Sequence, residues 1–128
     1  MKEVIKMKKY ILISLVVITS IALLFTGCFK TDCPAPDASK ITASSGTTGT
    51  GGMMIGGAAG AVEPGATVTV TDGDGHTATT TADENGSFVL TELDLPEDFD
   101  HTSGNTLSVT QKSEGCNESP AVNVPISP

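Results

Sequence analysis

Residues 66–71 alternate without a break, with Ala66, Val68 and Val70 on one side and Thr67, Thr69 and Thr71 on the other. A period of two belongs to a β-strand with one buried face; helical geometry would scatter those side chains around an axis. Shorter versions follow. Phe88 and Leu90 flank Val89; Leu107 and Val109 sit between Thr106, Ser108 and Thr110; Val122, Val124 and Ile126 are spaced by Ala121, Asn123 and Pro125. Turn signals divide these runs. Asp72-Gly73-Asp74-Gly75 predicts a turn, with residues 76–82 returning as a threonine-rich strand. Asp83-Glu84-Asn85-Gly86 predicts a second, its Asn-Gly pair suited to positive φ angles. Pro125 predicts a sheet edge or a strand end. No window beyond the first 28 residues has helical periodicity. Six or seven short strands with frequent turns predict an antiparallel β-sandwich over residues 53–128. With no Trp, four Phe and one Tyr, its core must be thin and aliphatic.

The N-terminus follows other rules. Lys2, Lys6, Lys8 and Lys9 precede an apolar run over residues 11–25, broken only by Ser14, Thr19 and Ser20. Fifteen residues fall short of the roughly 20 that span a bilayer and match the apolar segment of a signal peptide. Met7-Lys8-Lys9-Tyr10 would open a more compact signal than Met1. The run ends in Leu24-Phe25-Thr26-Gly27-Cys28, which resembles the lipobox of bacterial lipoproteins, with Phe25 standing where that family usually has Leu. The resemblance implies cleavage of residues 1–27, a diacylglyceryl thioether on Cys28 and an acylated amine. Together these are more hydrophobic anchors than the two that stable membrane attachment requires. It implies a cell-envelope protein, and in a Gram-negative host the outer membrane, because Phe29 is not the Asp that retains enteric lipoproteins at the inner one.

Residues 28–52 are rich in Pro, Ser, Thr and Gly, a composition expected of a flexible tether, with one short strand expected near residues 40–44. Beyond residue 27 the chain has fourteen acids against three lysines and no arginine, a net of −11. Such a surface repels phosphate backbones, which excludes nucleic-acid binding.

Gly57-Ala58-Ala59-Gly60-Ala61-Val62-Glu63-Pro64-Gly65-Ala66-Thr67-Val68-Thr69-Val70 resembles the opening of bacterial immunoglobulin-like (Ig-like) domains. The likeness continues through Ala82-Asp83-Glu84-Asn85-Gly86-Ser87-Phe88 and Gly104-Asn105-Thr106-Leu107-Ser108-Val109-Thr110. It closes on Gly115-Cys116-Asn117-Glu118-Ser119-Pro120-Ala121-Val122. Cys116 interrupts the family's Gly-Asn pair, and residues 93–103 form a longer acidic loop than the pattern has. Transthyretin-like adhesin repeats share some of these features and are also β-sandwiches. The Ig-like resemblance implies a non-catalytic module that binds an envelope protein or glycan, or serves structurally.

Asp72, Asp74 and Asp83 have EF-hand spacing, but His76 and Thr77 occupy positions where the loop needs an oxygen ligand and a glycine. Asp94, Glu97, Asp98 and Asp100 put four carboxylates in seven residues and are the ligands a Ca²⁺ ion would use. A solvated acidic loop is the simpler account, since no spacing fixes their geometry. A calcium-binding or accessory-enzyme lipoprotein is the alternative built on that loop. His76 and His101 are expected at the surface, and no cofactor is expected. Gly86-Ser87 lacks the frame of a nucleophile elbow, so no catalytic residue is assigned. Asn117-Glu118-Ser119 is a glycosylation pattern of little weight in a bacterial lipoprotein. With Cys28 consumed by lipid, Cys33 and Cys116 are the two cysteines left in an oxidising compartment. Strand reversal places both at one end, so a disulfide is expected.

Overall fold

Each alternating segment forms a strand in the computed structural model, which describes residues 30–46 and 52–128 and has its compact unit over Thr31–Pro128. The strands are β1 (Ile41–Ser44), β2 (Met54–Gly57), β3 (Thr67–Thr71), β4 (Thr77–Thr81), β5 (Phe88–Thr91), β6 (Thr106–Lys112) and β7 (Val122–Ser127). Two 3₁₀ turns, Ala38–Lys40 and Glu92–Asp94, complete the set. The signal peptide expected over residues 1–27 and the lipidated Cys28 lie outside the described residues.

The hydrogen-bonded order is β4-β3-β6-β7-β1-β2-β5. It makes an all-β sandwich of the Ig-like kind, with β4, β3, β6 and β7 in one layer and β1, β2 and β5 in the other. β7 joins the layers. Its first residues pair antiparallel with β6, Val122 opposite Val109 and Pro125 opposite Thr106, while its last pair parallel with β1, Ala43 opposite Ile126. That contact is the one parallel pairing between named strands of the otherwise antiparallel sandwich that was expected. Pro125 is neither at a sheet edge nor at a strand end. It stands where β7 leaves one partner for the other, a position that tolerates a missing N–H.

The alternation is realised as burial. Val68, Val70 and Val109 are fully buried, and Leu107, Val124 and Ile126 nearly so, against Ile41, Ile55, Phe88 and Leu90 of the opposite layer. β4 contributes only Ala78 to this core. Every large core side chain apart from Phe88, Phe99 and Met53 is aliphatic.

The expected tether is corrected from Thr31 onward. Residues 31–46 belong to the compact unit, and β1 pairs over its full length with β2, Ile41 opposite Gly57 and Ser44 opposite Met54. β1 is the short strand expected near residues 40–44, whereas the rest of the segment has too little apolar sequence to announce that it is ordered. The order comes from partners distant in sequence.

Strand directions define two poles. Residues 31–40, 58–66, 82–87 and 113–121 gather where β1 begins. Residues 45–46, 52–53, 72–76 and 92–105 gather at the opposite end, with the C-terminus. The β3–β4 hairpin loop at 72–76 and the loop at 83–87, which carries the chain from β4 in one layer to β5 in the other and so closes no hairpin, share one construction. In each, an Asp takes the N–H groups two and four residues on, and a Gly three residues on has positive φ, +94° at Gly75 and +75° at Gly86. No described residue other than glycine has positive φ, so Asn85 does not use the left-handed region. These are type I turns closed by a left-handed glycine, not the two-residue turn that Asn-Gly suggested.

The two glycines differ in surroundings. A Cβ at Gly75 would meet nothing, whereas one at Gly86 would run into the Val62 carbonyl. Gly75→Ala should therefore cost about 1 kcal/mol for the left-handed backbone alone. Gly86→Ala should cost more than about 2 kcal/mol, because backbone must also move. Urea unfolding of both variants checks this, and equal losses would contradict the close approach.

Candidate functional site

The side chains with most chemical capacity lie at the two poles and do different work. At the far pole Asp72 ends β3 and points inward, its side chain fully shielded from solvent. One oxygen accepts the N–H groups of Asp74 and His76, both at 2.9 Å. The other lies 2.9 Å from His76 Nδ1 and accepts the Asp100 N–H at 2.9 Å. A buried carboxylate must find such partners, since an unsatisfied charge there would be prohibitive. Asp72 thus ties the 72–76 turn to the loop carrying Phe99, which is itself buried.

Burial by itself raises the carboxyl's affinity for a proton. The Asp100 N–H, the His76 ring and N–H, and the Asp74 N–H together outweigh it and bring the pKa from 3.8 down to about 2. His76 moves the other way. Its hydrogen bond to Asp72 raises it above 6.5 against some desolvation, with further help from the charges of Asp72, Asp98 and Asp74. An acid–imidazole pair is half of a catalytic relay, but here the carboxylate is fully spent on closing a turn.

The four carboxylates read as calcium ligands are not brought together. Asp94 accepts the Thr91 N–H and hydroxyl at 2.8 and 2.9 Å, capping the 3₁₀ turn that follows β5. Asp100 accepts the Thr102 N–H and the Asn105 amide, which closes its own loop. Glu97 and Asp98 are exposed. Among the described residues the one group of three potential ligand atoms within metal-binding reach is Cys33, Glu63 and Cys116, and its cysteines are joined to each other. Asp83 of the EF-hand spacing sits at the opposite pole from Asp72 and Asp74, where it closes the loop between β4 and β5. His76 is partly exposed. His101 is half-buried beside Phe99, ring centroids 6.4 Å apart, with its Nε2 sheltered and without a hydrogen-bond partner among the described residues.

The other pole is built around Cys33 and Cys116, which form a disulfide across 83 residues of sequence with Cα atoms 5.2 Å apart. Cys33 is buried, its N–H donates to the Asn117 carbonyl at 3.0 Å, and its sulfur accepts the Ser113 N–H. Gln111 stands beside the bridge. It continues the inward register of Leu107 and Val109, and its amide is paired at both ends: Oε1 takes the Glu63 N–H and Nε2 donates to the Pro34 carbonyl, each at 2.6 Å. Its backbone N–H donates to Ser119 Oγ. Sequence reading passed over Gln111, although a polar residue in a run of inward apolar ones was the available signal.

Between the free edges of β4 and β5 lies a shallow, open groove of about 300 Å³, lined by Thr80, Thr81, Asp83, Ser87, Phe88 and Val89. That is the lower limit for sites that enclose a small molecule, and it does not enclose. The chemistry on view is therefore that of loops and surfaces: pinned turns, an acidic far pole, and a cross-linked near pole.

The sequence profile of the bacterial Ig domain family matches residues 35–127. The match starts at Pro34's neighbour, Ala35, well inside the segment expected to be tether and close to where the compact unit begins. No curated protein matches the chain.

The Asp72 hub makes stability depend on pH at both ends. A depressed carboxyl stabilises fully above its unfolded value and loses that contribution as pH falls through about 2; the lost share is about 2 kcal/mol. A raised imidazole stabilises below 6.5 and loses its share as pH rises through the folded value. Melting temperatures measured across pH should fall at both ends, and Asp72→Asn should lower the plateau and flatten both flanks. A variant keeping the wild-type profile would contradict the hub.

Proposed function

The chain belongs to the bacterial Ig domain family, and from that premise we propose that it is a lipid-anchored envelope module that works without catalysis, by binding or as structural support. The observation that carries the proposal is the pairing of Cys33 with Cys116. A stable disulfide fits an oxidising compartment beyond the cytoplasm. It also leaves Cys28 as the odd cysteine, at the place where the lipobox resemblance needs a free thiol for the lipid.

Sandwiches of this kind present loops on a rigid frame, and function belongs to those loops. The recognised partner is then an envelope protein or glycan met over a surface, in keeping with the open groove and spent carboxylates. The calcium reading gains nothing from the acidic loop, where Asp94 and Asp100 are each occupied by their own turns. In a Gram-negative host the outer membrane is the proposed location, since Phe29 follows the anchor cysteine.

Mass spectrometry of membrane-extracted protein should find an N-terminal peptide that begins at Cys28 and bears acyl chains. Cys28→Ala should accumulate as an unprocessed precursor. Peptides from residues 10–25 in the mature protein would overturn the proposal.

A further inference from the structure

The compact unit is secured from its first residue. The Thr31 carbonyl accepts the Asn117 N–H at 3.0 Å, and Asp32 bridges Asn117 in parallel. Cys33 is covalently tied to Cys116, the Pro34 carbonyl is held by Gln111, and the Asp37 N–H donates to the Ala61 carbonyl at 2.7 Å. Between Cys28 and Thr31 stand only Phe29 and Lys30. Three Cα steps of 3.8 Å reach about 11 Å at full extension.

Resting on the lipid attachment at Cys28 proposed above, we infer that the disulfide pole is a membrane-apposed surface: it lies against the headgroups of the bilayer that holds the anchor, and the far pole is turned outward. The short leash follows from the bonds just described. A 25-residue tether would let the domain wander and tumble, whereas a chain fixed from Thr31 keeps this pole within about 11 Å of the lipid-bearing residue.

Charge acts in the same direction. Lys40 and Lys112 lie at the disulfide pole, at the start of β1 and the end of β6, and Lys30 is in the leash itself. The far pole carries Asp72 and Asp74 in one turn and five acids in residues 92–100, with no Lys or Arg. Both poles have seven acids, so charge would not bind the domain to a bilayer. It does bias which way up an anchored domain stands: with Lys112 and with Lys40, which pairs with Asp37 at 3.6 Å, the disulfide pole nets −5 against −7 at the far pole, so anionic headgroups repel the far pole more. The poles are separated by the rise of β6, seven residues or about 20 Å. That exceeds the Debye length of about 8 Å, so an upright domain removes the far acids from the membrane field and a tipped one does not.

The chain has no Trp, so one introduced at either pole reports alone. Glu114→Trp marks the disulfide pole and Glu97→Trp the far pole; both positions are exposed. Full-length protein of each variant, extracted from membranes, is reconstituted into phosphatidylcholine–phosphatidylglycerol vesicles carrying a nitroxide on a fraction of the headgroups. Acyl mass and flotation with the vesicles are read on the same samples. The Glu114→Trp emission should be quenched at least threefold more than that of Glu97→Trp. A ten-residue Gly-Ser spacer inserted between Lys30 and Thr31 should bring the two close to equality. Acylated, floating protein with equal or reversed quenching overturns this orientation and leaves the lipid reading standing. Protein that carries no acyl chains and does not float overturns both.

Discussion

The covalent bond between Cys33 and Cys116 is the constraint on which the arrangement depends. In the chain-entropy view, closing a loop of 83 residues removes about 4.5 kcal/mol of disorder from the unfolded chain. A domain of this size has about 5–15 kcal/mol of stability in all. The core that must provide the rest is thin: aliphatic side chains of seven short strands, one of which contributes a single alanine. The bond also acts locally. It holds residues 31–40 against the β6–β7 loop, so that β1 is delivered to β2 on one side and the tail of β7 on the other. Without that delivery β7 would lose the partner through which it joins the two layers.

From this follows a division of labour between the poles. One is cross-linked, packed around Gln111, and opens the compact unit at Thr31, three residues along the chain from the cysteine that the lipobox resemblance assigns to lipid. The other gathers loops whose backbones are fixed by carboxylates, Asp72 for the 72–76 turn, Asp94 for the 3₁₀ turn and Asp100 for its own loop. Acids at those positions accept backbone N–H groups. Their use is to hold an anionic, loop-rich surface in one shape, with Leu93 fully exposed upon it. Rigid loops on a sandwich suit recognition, since a partner that binds preformed loops does not have to order them.

The strands were legible in the chain because their information is local. Alternation at Val68 and Val70, Leu107 and Val109, or Val124 and Ile126 requires only neighbours to be read. Loop positions were legible for the same reason, through Asp and Gly at fixed offsets. The disulfide could be reached by parity and strand counting. What escaped was set by partners remote in sequence. Residues 31–46 look like tether because their order comes from Asn117, Gln111 and β7. Asp72 looked like a possible ion ligand because its fourth hydrogen bond comes from Asp100, 28 residues on. Pro125 looked like an edge residue because nothing local announces that its strand changes partner there.

Hydrogen exchange over residues 31–46, in oxidised and in reduced protein, tests this account most directly. If the segment is built into the sandwich by the bridge, amides of Ile41–Ser44 in the oxidised protein exchange as slowly as those of β2. Reduction then releases residues 31–46 ahead of β3, β6 and the first half of β7. Exchange at the rate of an unstructured chain in the oxidised protein would contradict it, because that is how a free tether behaves.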